Sequence, residues 1–101
     1  MTSTLLIMLS LSADAGTVRE LENNILKRCE AKARNPFTGT TDTSEFYYCA
    51  LEQLIDFKRV LNHYQERANR PKLDEIINKY WIDSFGTADW RKVLEEWEDG
   101  P

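Results

Sequence analysis

The stretch from Thr41 to Tyr64, TDTSEFYYCALEQLIDFKRVLNHY, reads as one long helix that is apolar around most of its circumference, and this limits the folds open to the chain. At about 100° per residue, Glu45, Glu52, Asp56, Arg59 and His63 fall in one narrow polar stripe. Phe46, Tyr47, Ala50, Leu51, Leu54, Phe57, Leu61 and Tyr64 spread over the rest. Tyr48 and Ile55 extend that arc, and Lys58 and Asn62 interrupt it. A helix with so little polar surface belongs at the centre of a helical assembly or in an interface.

The flanking sequence supplies helix starts and stops. Thr17-Val18-Arg19-Glu20 matches a capping box, in which the Thr side chain and the Glu carboxylate satisfy free backbone N–H groups. Val18, Leu21, Ile25, Cys29 and Ala33 then recur at helical spacing until Asn35-Pro36 ends the run, because Pro36 disfavours α geometry at Asn35. Phe37 to Thr41 is a loop by composition. Asp42-Thr43-Ser44-Glu45 is an Asp-headed cap for the central helix, which the pattern carries to about Arg67. Pro71 suits a first helical turn. Leu73, Ile76, Ile77, Tyr80 and Trp81 mark a third segment that Gly86 closes. Thr87 or Asp89 can cap a last helix lined by Trp90, Val93, Leu94 and Trp97. With 101 residues and no long linker, the expectation is one domain over 1–101. Its expected fold is all-α: a compact bundle of four to five helices around a central aromatic-rich helix.

Composition narrows the partners. Forty-two per cent hydrophobic and 30% charged residues is the mixture of an ordinary globular protein without a membrane span. A net charge of −4 argues against nucleic acid, whose phosphates need a concentrated positive field. The charge is uneven: Lys58 to Lys72 is basic, whereas Asp89, Glu95, Glu96, Glu98 and Asp99 make the last helix acidic. Solvated faces, or faces that attract each other within the fold, are the default account. Cys29 and Cys49 both fall on or near apolar helical faces, where two buried free thiols are expected. A Cys29–Cys49 disulfide is the alternative and needs an oxidising compartment. It is tied to the N-terminus, where Leu5 to Leu11 precedes Ala13-Asp14-Ala15, an A-x-A pattern. The leading MTST has no positive charge, so a first packed helix in a cytoplasmic protein is the expectation and a signal peptide the alternative.

The chemistry of catalysis is absent from the motifs. His63 is the sole histidine and lies on the polar stripe of the central helix. One His and two Cys at these spacings make no zinc site. Phosphate-cradling glycine loops and the common hydrolase signatures do not occur. No catalytic, cofactor-binding or metal-binding residue is therefore assigned, and no cofactor is expected. Tyr and Trp dominate interface hot spots, but in so small a domain most of Tyr47, Tyr48, Tyr80, Trp81, Trp90 and Trp97 are expected in the core. Trp97 stands apart, since it lies among Glu95, Glu96, Glu98 and Asp99 near the terminus.

Ser44-Glu45, then Asp56-Phe57-Lys58, then Lys72, Glu75, Ile76, Tyr80 and Ile82 resemble part of the regulator of G-protein signalling (RGS) homology domain. The resemblance covers less than half the chain, and Phe46 stands where the family places a contact Asn. It implies a regulator that stabilises a partner's GTPase switch regions through loop residues such as Ser44 and Glu45, with no catalytic group entering the site. The expected function is thus a non-enzymatic protein-interaction or regulatory domain, G-protein-regulator-like in its narrower form. Ser44, Glu45, Tyr48 and Trp97 are the candidate partner-binding residues. The rivals are a self-associating viral or bacterial homodimer and a small secreted helical factor stapled by Cys29 and Cys49.

Overall fold

Four helices and one short hairpin account for most of residues 15–100, which are the residues that the computed structural model describes. The expected helix over Leu5 to Leu11 and the A-x-A pattern lie outside them. Helix α1 (Ala15–Ala33) buries Leu21, Ile25, Cys29 and Ala33 of the spaced set that the sequence marks, with Val18 half-buried, but it begins two residues before the capping Thr17. The loop after it is built from its own polar groups. The Asn35 side chain accepts from the Phe37 N–H (2.8 Å) and the Thr38 N–H (3.3 Å), and the Asn35 N–H donates to the Thr40 carbonyl (2.8 Å). Gly39 takes φ 73°, a left-handed geometry that glycine adopts without strain. Arg34 and Thr41 then form an isolated antiparallel bridge, which turns the chain back on itself.

Helix α2 (Thr43–Tyr64) starts as expected at Asp42, whose carboxylate accepts from the Glu45 N–H at 3.0 Å. It stops at Tyr64 rather than near Arg67. The Asn69 amide takes up the His63 carbonyl (2.9 Å) and the Arg70 guanidinium the Tyr64 carbonyl (2.8 Å), closing the helix end before a 3₁₀ turn over Arg67–Asn69. Helix α3 (Arg70–Lys79) has Pro71 in its first turn and buries Leu73, Ile76 and Ile77.

The third segment does not remain helical to Gly86. After Lys79 the chain forms strand β1 (Trp81–Ile82), which pairs antiparallel with β2 (Thr87–Ala88) in the register Trp81 to Ala88 and Ile82 to Thr87. Tyr80, Trp81 and Ile82 are aromatic and β-branched residues suited to either structure, and the tight turn decides between them. Gly86 sits there at φ 66°, its carbonyl accepting from the Asn24 side chain of α1 at 3.0 Å. A Cβ at Gly86 would lie 3.0 Å from Asn24 Nδ2, so both backbone geometry and space select glycine. Helix α4 (Trp90–Asp99) follows, with Asp89 as its cap.

The core lies where α1 and α4 pack on one side of α2, with α3 against α4. Phe57 and Trp90 meet there with ring centroids 4.7 Å apart, both fully buried. The chain is thus mostly helical. The aromatics of α2 do not gather in one cluster: Phe57 and Tyr64 are buried, while Tyr47 and Tyr48 face outward.

The two cysteines correct the expectation of free thiols. Cys29 of α1 and Cys49 of α2 form a disulfide, with Cα atoms 5.5 Å apart. The turn at Asn35 to Thr41 sets the register that brings them opposite each other, within the range a disulfide spans.

Candidate interaction surface

Turning α2 about its axis separates two faces. Ala50, Gln53, Asp56, Phe57, Val60 and Tyr64 point inward. On the opposite side Tyr47, Tyr48, Leu51 and Ile55 stand 64%, 72%, 65% and 46% exposed. Of the polar stripe expected from the sequence, Glu45 and Arg59 are exposed and Glu52 and His63 half-buried, and only Asp56 is drawn in. Asp56 is only 8% exposed, and large apolar side chains share the solvent face with the rest of the stripe. Burial raises the Asp56 carboxyl above its ordinary value, against the opposing pull of Arg91 and Arg59.

Gln53 explains how a polar residue can face inward. Its carbonyl accepts from the Trp90 N–H (2.8 Å) and its amide donates to Asp89 (3.0 Å), so one α2 side chain ties down the first turn of α4. The indole N–H of Trp90 donates to the buried Thr87 hydroxyl at 2.9 Å. Arg28 of α1 reaches the second Asp89 oxygen at 3.5 Å. Burial opposes ionisation of Asp89. Hydrogen bonds from Gln53 and the Lys92 N–H, with Arg28 nearby, outweigh it and hold the carboxyl below the usual carboxylate range. Because the folded state lowers this value, its stabilisation is complete above the unfolded value near 3.9 and is lost as the pH falls through the folded one. Asp89→Asn should therefore flatten the acid limb of melting temperature against pH below about pH 4. An unchanged acid limb would mean that Asp89 is not a charged strut.

A shallow groove of about 260 Å³ runs beside the apolar stripe, lined by Tyr48, Leu51, Glu52, Ile55, Asp56 and Arg91. Arg91 of α4 forms its polar edge through a 2.8 Å ion pair with Glu52. A larger open cleft of about 580 Å³ lies between α3 and α4, lined by Lys72, Tyr80, Lys92, Glu95, Glu96, Asp99 and Gly100. Its Glu96 is engaged internally, accepting from the Tyr80 hydroxyl (2.7 Å) and from Lys79 (2.9 Å), bonds that lower its carboxyl value.

The four candidate residues do not lie together. Ser44, Glu45 and Tyr48 occupy the first two turns of α2 and are exposed. Trp97 is half-buried on α4, packed against the core with its ring 5.7 Å from that of His63. His63 is 15 residues beyond Tyr48 on α2, about 22 Å along the helix axis at 1.5 Å per residue. Leu51 and Ile55 complete the exposed stripe. Sequence reasoning placed them in the apolar arc without seeing that the arc divides. Nothing local in the sequence marks that division, because the inward-facing Gln53 is held by Trp90 and Asp89, 37 and 36 residues away.

No helix among the described residues is long and apolar enough to cross a membrane. The chain matches no protein-family profile, no curated protein and no solved structure.

Proposed function

We infer that this is a non-enzymatic protein-interaction domain whose docking surface is the outer face of α2. The observation that carries it is the row Tyr47, Tyr48, Leu51 and Ile55, four large apolar side chains on adjacent turns of one helix. Scattered apolar residues are ordinary on a surface, whereas a contiguous apolar row marks contact with something. Tyrosine suits such a role because it contributes area at low conformational cost. In this reading α2 is the central helix, with Phe57 and Tyr64 serving the fold and Tyr47 and Tyr48 the partner. The Cys29–Cys49 bond holds that helix rigidly to α1. It is compatible with an oxidising compartment, as in the secreted alternative, as much as with a cytoplasmic one.

A photo-reactive residue placed at Leu51 and, as a control, at exposed Asn78 of α3 tests this. Irradiation of the expressed chain should give covalent adducts from position 51 and few from position 78. Equal yields would sink the reading. The narrower, G-protein-regulator form draws on Ser44 and Glu45, which are exposed beside the same row. Purified G-protein α subunits probe it: preference for the transition-state mimic over the GDP-bound form supports it, and equal binding removes it.

A further inference from the structure

We propose that the apolar face of α2 is covered by the same face of a second copy, the two helices running antiparallel about a two-fold axis near Glu52. The proposal rests on the reading of this face as an interaction surface and names its occupant. Ser44, Tyr48, Leu51, Ile55, Lys58 and Asn62 repeat at spacings of four and three, the seam along which two helices pack side by side. Glu45, Glu52 and Arg59 lie seven apart along one flank of this seam, and Tyr47, Leu54 and Leu61 lie seven apart along the other.

A two-fold axis perpendicular to antiparallel helices brings each flank against its own copy in the reverse direction. Glu45 then faces Arg59 of the second copy, twice per dimer, and neither side chain forms an ion pair within the chain among the described residues. Glu52 meets Glu52 near the axis. That like-charge contact is relieved beforehand, because Arg91 of the same chain already holds each carboxylate at 2.8 Å. In the same register Leu51 packs on Ile55, and Leu54 meets Leu54 on the other flank. Lys58 falls opposite Tyr48, where its aliphatic stem can lie along the ring while the ammonium reaches solvent. A parallel pairing would instead set this flank against the Tyr47, Leu54 and Leu61 flank of the second copy, where Glu45 and Arg59 meet no opposite charge. The charge order along α2 therefore selects both the partner and the direction.

Sedimentation equilibrium of the full oxidised chain from about 5 µM to about 1 mM tests this, since one helix face per copy implies a micromolar dimer. The mass should rise from one chain to two across that range. Leu51→Glu should weaken the dimer by about a hundredfold or more, through two carboxylates at the seam. Glu45→Lys and Arg59→Glu should each weaken it roughly tenfold, and the two together should recover it. A single-chain mass at the highest concentration overturns the proposal, as does a dimer that survives Leu51→Glu. A double variant no better than the worse single one overturns the antiparallel register and with it the proposal. Melting at the lowest concentration separates this failure from that of the parent reading. A monomer whose Leu51→Glu variant melts unchanged leaves the face free for another protein, whereas a lowered melting temperature shows that the chain covers the face itself.

Discussion

Phe57→Asp should leave no cooperative thermal transition, whereas Leu51→Glu, six residues earlier on the same helix, should melt as the parent does at low concentration. Phe57 is fully buried against Trp90, at the junction of α1, α2 and α4. Truncating such an aromatic costs about 3 to 5 kcal/mol, and an unpaired carboxylate in its place adds several more. A domain of this size has a total stability of roughly 5 to 15 kcal/mol, so the sum reaches or exceeds what is available. Circular dichroism on heating reads this directly. A parent-like melt for Phe57→Asp would mean that the buried and exposed faces of α2 are exchanged.

Loss of the disulfide should have the second largest effect. Cys29 and Cys49 are separated by 20 residues, and closing a loop of that length in the unfolded chain is worth about 3 kcal/mol. The Cys29→Ala, Cys49→Ala double variant should therefore melt roughly 15 °C lower, at the 4 to 8 °C per kcal/mol usual for a domain near 100 residues. Reduction of the parent should give the same value once the buried Cys29 sulfur is reached. Two titratable thiols in the non-reduced, unfolded chain would contradict the bond outright. A melting temperature indifferent to its loss would show that the turn at Asn35 to Thr41 already holds the two helices in register.

The helix starts and stops were the most legible part of the sequence because they depend on neighbours in the chain. Asp42, Pro71 and Asp89 act within a turn of where they stand, and all three initiate helices as their residue types require. The end of α2 was harder to see. It is closed by Asn69 and Arg70 folding back on the His63 and Tyr64 carbonyls, and the helical pattern runs a little under one turn past it. The hairpin was obscured for a related reason. Tyr80 and Trp81 continue the apolar spacing of α3, while the feature that breaks it, Gly86 against Asn24, joins residues 62 apart.

The faces of α2 were read least well, and the reason is instructive. A periodicity argument assigns polar residues to water, yet Gln53 is drawn inward because the first turn of α4 offers it an N–H and a carboxylate. Asp56 follows on the same side, one turn on. Without the position of α4, nothing in the sequence reports that the inward face has a polar client. Tyr47, Tyr48, Leu51 and Ile55 are then left outside although they are among the most apolar residues of the helix. Of the residues on the exposed face, Leu51 and Ile55 were concealed by their resemblance to core.

The way Gln53 holds α4 also bears on how the molecule comes apart. The pair α1–α2 is joined by a short turn and a covalent bond, whereas α4 is attached through contacts 36 and 37 residues distant in the chain and through its apolar face. Local contacts close quickly and cheaply, and distant ones form last. Heating should therefore detach α4 and its hairpin from a helical pair that cannot disperse. In that half-open form α2 would be bare on both sides, its inner face uncovered where Phe57 meets Trp90 and its outer row already in water. A rod with two sticky sides can stack with neighbours side by side without limit. For this chain the hazard of partial opening is polymerisation, with the bond that steadies the native protein preserving the species that propagates it.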